Sequence, residues 1–226
     1  RKTNRGTDIS VAVTLDFIDM VYGTTKTINL NKFITCDDCG GSGAADNSKL
    51  KECKICHGTG EIAKENKSLW NRFITVEACK ECLATGKIPE KICHKCNGSG
   101  ITSDYRNITI NIPAGIQNGE ILVVRAAGNA GLRSVASGDL FIKIYIKPNE
   151  KLSRSADNII CNLGIKVTDA ILGGHFNIPI LKESIKIDIP EGIQSGDEIK
   201  IKNRGIQTPR KGDLIFKIKV NIPKKL

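Results

Sequence analysis

The sequence predicts a mostly β protein: two similar β domains in tandem, the first interrupted by a cysteine-rich insertion. Three features point there. Apolar and polar residues alternate along most of the chain, one distinctive segment occurs twice, and eight of the nine cysteines lie within residues 36–96.

Alternation comes first. Ile9, Val11, Val13, Leu15 and Phe17 form one series, and Ile108, Ile110 and Ile112 a second. Leu140, Ile142, Ile144 and Ile146 follow, then Ile185, Ile187 and Ile189, then Leu214, Phe216, Ile218, Val220 and Ile222. A period of two sends one set of side chains to a single sheet face and leaves polar ones on the other. Apolar residues are 40% of the chain and aromatics only 4%, so Ile, Val and Leu carry the core, a mix suited to strands. Helical patterns are short: Phe17 to Tyr22, stopped by Gly23, and Thr168 to Leu172, stopped by Gly173 and Gly174.

The duplication sets the domains. Residues 110–121 read INIPAGIQNGEI and residues 187–198 read IDIPEGIQSGDE. Further on, GDLFIKIYI from Gly138 answers GDLIFKIKV from Gly212, and the two short helical patterns answer each other upstream. The opening strands of the first copy precede Cys36 and the rest follows Cys96. The expected division is therefore 1–35 with 101–148 as the first β domain, 36–100 as the inserted cysteine-rich module, and 149–226 as the second β domain. Lys147 to Asp157 reads as the polar join.

Within the insertion the cysteines form four Cys-x-x-Cys pairs: Cys36/Cys39, Cys53/Cys56, Cys79/Cys82 and Cys93/Cys96. Such a pair puts two sulfurs on one side of a tight turn, where both reach one metal ion; two pairs complete a tetrahedral thiolate site. Four pairs make two sites, and zinc is the expected ion. Three pairs carry Gly two and four residues beyond the second cysteine, as in CDDCGGSG, CKICHGTG and CHKCNGSG. Glycine supplies the positive φ that such turns need. The third, CKECLATG, keeps Gly86 but has Ala84 at the first position, which predicts a strained or altered turn and an intact metal site. A disulfide framework suits short chains without a core, unlike this one. A redox role for one pair is the thiol–disulfide oxidoreductase alternative. Spacing leaves two uncrossed pairings open: nested, first pair with fourth and second with third, or sequential. Four thiolates leave no open position for water, so these sites read as structural. Cys161 alternates with Leu163 and Ile165 and reads as a buried thiol in a strand.

Formal charge is +10 with a pI near 9.2, which raises nucleic acid as a partner. Eight thiolates and two zinc ions bring the net to about +6, and Lys200, Lys202, Lys217 and Lys219 alternate as on a solvated strand face. Aromatics for base stacking within the module are Trp70 and Phe73, with Lys64, Lys67 and Arg72 nearby, and the segment reads as an exposed hairpin tip. His57, His94 and His175 suggest no Ser/His/Asp arrangement, so an enzyme is not expected. No run of eighteen apolar residues suggests a membrane span, and no signal-peptide pattern opens the chain.

With its CxxCxGxG repeats, its IPAGIQNG…GDL and IPEGIQSG…GDL segments and the ILGG from Ile171 to Gly174, the chain resembles the class A DnaJ proteins, the zinc-containing J-domain co-chaperones of the heat-shock response. The resemblance implies two β-sandwich-like C-terminal domains with a zinc module extending from the first. It implies one zinc ion on Cys36, Cys39, Cys93 and Cys96 and a second on Cys53, Cys56, Cys79 and Cys82. It also implies that unfolded or misfolded polypeptides bind an apolar groove and pass to the DnaK-type heat-shock ATPase. The matching groove positions are Ile9, Ile28, Leu30, Ile108 and Ile142, the last aligned only with one inserted residue. No His-Pro-Asp triplet of a J domain occurs in the chain. A homodimer is expected for the whole protein and a monomer for this piece, in the bacterial cytoplasm or an organelle matrix. No specific nucleic acid and no membrane are expected as partners.

Overall fold

Each alternating series forms a strand in the structure, a computed structural model describing residues 5–45, 48–67 and 72–223, with the backbone alone for 65–67 and 72–73. The order is β1 (Ile9–Leu15), α1 (Phe17–Tyr22), β2 (Thr24–Thr35), β3 (Leu50–Glu52), β4 (Glu61–Lys67), β5 (Arg72–Ala78), β6 (Lys87–Pro89), β7 (Ile101–Ile112), β8 (Ile121–Val124) and β9 (Leu140–Ile146). It continues with β10 (Leu152–Ser155), β11 (Asn158–Lys166), α2 (Val167–Leu172), β12 (Gly174–Ile180), β13 (Glu183–Ile189), β14 (Glu198–Ile201) and β15 (Leu214–Asn221). The mostly β class is as expected. Gly23 and Gly173 end the two helices with φ of +76° and +64°, where a Cβ would be strained.

Sheet order repeats the sequence duplication. The first copy orders its strands β1-β9-β8 beside a β2-β7 ribbon; the second orders them β11-β15-β14 beside a β12-β13 ribbon. The matching segments also make matching bonds. Gly115 N–H donates to Met20 O at 2.7 Å, and Gly192 N–H to Ala170 O at 2.8 Å. Gly119 N–H reaches Ile144 O at 2.8 Å, as Gly196 N–H reaches Ile218 O at 2.9 Å. The acidic residue after each of these glycines, Glu120 or Asp197, caps the Gln117 or Gln194 N–H. The recurring Gly-Ile-Gln segment is thus a turn that ties the helix end to the last strand of its own copy.

Packing divides the chain into two compact units: Arg1–Val11, Ile28–Ile108 and Leu122–Ile142 in one, and Ala12–Thr27, Thr109–Ile121 and Lys143–Leu226 in the other. The first contains all four Cys-x-x-Cys pairs. The second contains the whole second copy, in which β11 runs parallel to β15 from Ile159↔Leu214 to Lys166↔Asn221. Ile159, Cys161, Ile165, Leu214, Phe216 and Ile218 are buried on those two strands, so the period-two pattern is the core. Cys161 is buried as expected, and burial pushes its thiol pKa up. The polar join contains a strand: β10 pairs antiparallel with β11, Leu152↔Cys161 to Ser155↔Asn158. Asn149 Oδ1 starts it by accepting the Lys151 and Leu152 N–H groups, both at 3.0 Å. Among the described residues no helix is long and apolar enough to cross a membrane.

Candidate metal centres

All four Cys-x-x-Cys pairs open the same turn. The second sulfur of each accepts the N–H of the glycine four residues on: Gly43 to Cys39 at 3.3 Å, Gly60 to Cys56 at 3.2 Å, Gly86 to Cys82 at 3.3 Å and Gly100 to Cys96 at 3.3 Å. A hydroxyl three residues beyond that cysteine donates to its carbonyl: Ser42 at 2.7 Å, and Thr59, Thr85 and Ser99 at 2.6 Å each. Sequence reasoning passed over these hydroxyls. Their signal is that the residue before the last glycine of every repeat is Ser or Thr.

The turns then lock in pairs. Cys36 N–H donates to Gly100 O at 2.9 Å, and Cys93 N–H to Gly43 O at 3.0 Å. Cys53 N–H donates to Gly86 O and Cys79 N–H to Gly60 O, both at 2.8 Å. These reciprocal bonds gather Cys36, Cys39, Cys93 and Cys96 into one buried quartet and Cys53, Cys56, Cys79 and Cys82 into another. Within each, all sulfurs lie within 4.8 Å of one another. The arrangement is nested, one of the two that spacing allowed.

The donor set fits a tetrahedral thiolate ion. Cys39 and Cys96 sulfurs are 3.7 Å apart, Cys53 and Cys79 3.8 Å, Cys56 and Cys82 3.6 Å. A tetrahedron with metal–sulfur bonds of about 2.3 Å has edges of about 3.8 Å, whereas a disulfide needs about 2.05 Å. Each quartet could therefore hold one metal ion, which would cross-link two distant turns. Cys39 is a thiol shifted toward its thiolate form. Burial acts to raise its thiol, yet the Gly43 N–H, the Cys36 thiol and the Gly41 N–H outweigh it and bring it down to about 7. Burial pushes Cys36 up to about 11 and Cys82 up to about 12.

The third turn keeps the shape of the others under strain. Leu83 and Ala84 both adopt left-handed backbone, φ +53° and +65°; the other three turns are left-handed at the first position too, at Gly40, His57 and Asn97, but place glycine at the second, Gly41, Gly58 and Gly98. Strain without loss of the quartet is what the sequence implied. Left-handed alanine costs about 1–2 kcal/mol, part of which glycine returns as chain entropy. Ala84→Gly should therefore stabilise the metal-loaded module by about 0.5–1 kcal/mol, read as a rise in the thermal midpoint of the holoprotein.

Comparison with known proteins gives the lineage. The family profile described as "DnaJ C terminal domain" matches residues 9–223. The chain belongs to the DnaJ C-terminal domain family. Proteins named chaperone protein DnaJ are its relatives. That of Acholeplasma laidlawii is 34% identical over 227 residues, 99% of this chain and 62% of the relative. That of Chlorobium luteolum is 34% identical over 224 residues, 98% of this chain and 58% of the relative. That of Clostridium botulinum is 35% identical over 224 residues, with coverages of 98% and 60%. The chain thus spans about three fifths of the length of these DnaJ relatives.

The groove positions implied by the DnaJ resemblance fall on two strand pairs of one compact unit. Side-chain bonds from Asn29 to Asn107 (2.6 Å) and between Thr27 and Thr109 (3.3 Å) set the β2–β7 register and place Ile28 opposite Ile108. Ile28, Leu30 and Ile108 are half-buried. Ile9 is half-buried on β1, while Ile142, on the adjoining β9, has no accessible surface. In the module, β5 exposes Ile74 and Val76. Trp70 lies outside the described residues, as do the side chains of Lys67, Arg72 and Phe73; Lys64 is exposed.

Proposed function

We propose that this chain is the client-binding part of a DnaJ co-chaperone, holding two structural zinc ions and no catalytic centre. Unfolded or misfolded polypeptide would bind the first β domain, 1–35 with 101–148, and pass to a DnaK-type ATPase. The observation that carries the reading is the pairing of the DnaJ family match across both repeats with half-buried aliphatics on open sheet edges. Among the described residues β1 is an outer strand of its sheet, and β2 and β7 pair only with each other. An extended segment can add to such an edge: its backbone supplies sequence-tolerant hydrogen bonds, and its apolar side chains enter between Ile9, Ile28, Leu30 and Ile108. Ile142 would be the floor beneath them. Affinity from a few such side chains, about 1–3 kcal/mol each, suits a protein that must release its client.

Zinc is supported by the all-sulfur donor set and by the tetrahedral spacing of the quartets. We further propose a homodimer for the whole protein, and a bacterial cytoplasm or organelle matrix as its place of action.

The test is a fluorescence titration with an extended apolar peptide. Leu30→Ser combined with Ile108→Ser should weaken binding at least about tenfold, the equivalent of about 1.4 kcal/mol, with zinc content still two per chain. Unchanged affinity would remove the groove. Holoprotein that fails to suppress aggregation of a denatured model protein would remove the chaperone reading.

A further inference from the structure

One side chain outside the cysteine-rich module reaches both metal sites. Arg133 stands in a 3-10 turn, Leu132–Ser134, between β8 and β9, half-buried and with φ of +47°. Its Nε donates to Gly98 O at 3.0 Å, in the turn that follows Cys96. Its Nη1 donates to Cys82 O at 3.2 Å and to Lys87 O at 2.7 Å, both in the turn of the second quartet. Its own N–H is held by Ser99 O at 3.0 Å. Among the described residues no carboxylate pairs with it.

The turn it grips is the odd one. Cys82 is the second cysteine of the repeat in which leucine and alanine occupy left-handed positions, with Ala84 where the other three turns have glycine. Thr85 Oγ1 already lies against the same two carbonyls, donating to Cys82 O at 2.6 Å with Lys87 O at 3.1 Å. Equivalent hydroxyls stand against the corresponding carbonyls in the second and fourth turns, Cys56 O and Glu61 O or Cys96 O and Ile101 O, and among the described residues no arginine donates to those carbonyls. The extra strap thus coincides with the strained turn.

We propose that Arg133 is a positioning residue that offsets the strain of the third turn and holds Cys79 and Cys82 in ligating geometry, so that metal leaves the second site slowly. The inference rests on the reading of both quartets as metal sites. A charged donor bonded to two carbonyls of a ligand-bearing turn acts on metal affinity as other outer partners of metal ligands do.

The experiment is zinc release from holoprotein to excess EDTA, followed by hydrogen-exchange of the module and by a chromogenic chelator, with Cys36→Ser identifying the phase of the second site. Arg133→Ala should speed that phase about tenfold and the first site's phase, which loses only the bond to Gly98 O, by much less. Arg133→Lys should fall between. Added to Arg133→Ala, Ala84→Gly should return most of the lost retention, because it removes the strain that the guanidinium opposes. Equal release from wild type and Arg133→Ala overturns the proposal. So does equal acceleration of both phases, which is general loosening, or acceleration that Ala84→Gly does not reduce. Wild-type protein carrying fewer than two ions would overturn the metal reading itself, and this inference with it.

Discussion

Stripping the metal should unfold residues 36–100 and leave both β repeats standing. The reason is where the burial lies. Among the described residues of the module the buried clusters are the two cysteine quartets, the second with Ile62 and Ile88 packed against it. Its ribbons are slight: β3 and β6 have three residues each, and the β4–β5 hairpin exposes Ile74 and Val76. Two-stranded ribbons of that kind are marginal by themselves. A structural zinc site contributes about 10–16 kcal/mol at neutral pH, which exceeds what the rest of the module supplies. The β repeats have their own cores, such as Ile159, Leu214, Phe216 and Ile218 in the second. Hydrogen exchange should show amides of 36–100 losing protection in EDTA while β11 and β15 keep theirs. Protons follow the metal. The ion is held by thiolates, whereas burial raises the Cys36, Cys82 and Cys96 thiols, so these three hold their protons at neutral pH until metal displaces them. Metal entry must expel those protons; apparent affinity therefore rises with pH, and acid releases the ion. A weakly buffered zinc titration should show proton release on uptake.

Gly86→Ala should empty the second site and spare the first. A Cβ at Gly86 would lie 2.1 Å from Gly58 O, a backbone atom that cannot move without carrying the Cys53/Cys56 turn with it. The same carbon would sit on a backbone with φ of +74°. Left-handed strain alone is about 1–2 kcal/mol, and the clash adds enough that we expect a loss above about 3 kcal/mol in metal-linked stability. Gly119→Ala is the matched control. Its φ is +84°, but nothing lies within 4 Å of the added carbon. It should cost about 1 kcal/mol and leave two ions per chain. Metal analysis of both variants, with thermal melts, separates the outcomes: one ion for Gly86→Ala and two for Gly119→Ala.

Much of this was legible because it is local or periodic. Alternation marked the strands, and the repeated Gly-Ile-Gln segment marked the duplication that the sheet orders then reproduce. Pairing of the cysteines was not legible from spacing, because it depends on bonds such as Cys36 N–H to Gly100 O, between residues far apart in the chain. Arg133 was invisible for the same reason: nothing near it in sequence says that its guanidinium ends between Gly98 and Cys82. β10 hid in a polar stretch because Ser153, Arg154 and Ser155 have weak strand preference and take their structure from β11. The groove shows the limit of patterning most plainly. Ile108 and Ile142 look alike in an alternating series, yet one is half-buried and the other has no accessible surface. Period two tells which face a side chain takes, and not whether that face is covered.

Cadmium NMR of single-cysteine variants tests the nested quartets most directly. Cadmium-loaded wild-type protein should give two resonances in the range of four-sulfur coordination. Cys36→Ser and Cys93→Ser should shift or abolish one and the same resonance, and Cys53→Ser and Cys79→Ser the other. Should Cys36→Ser and Cys53→Ser instead strike the same signal, the quartets are sequential and the cysteine-rich module is built differently from what the structure describes.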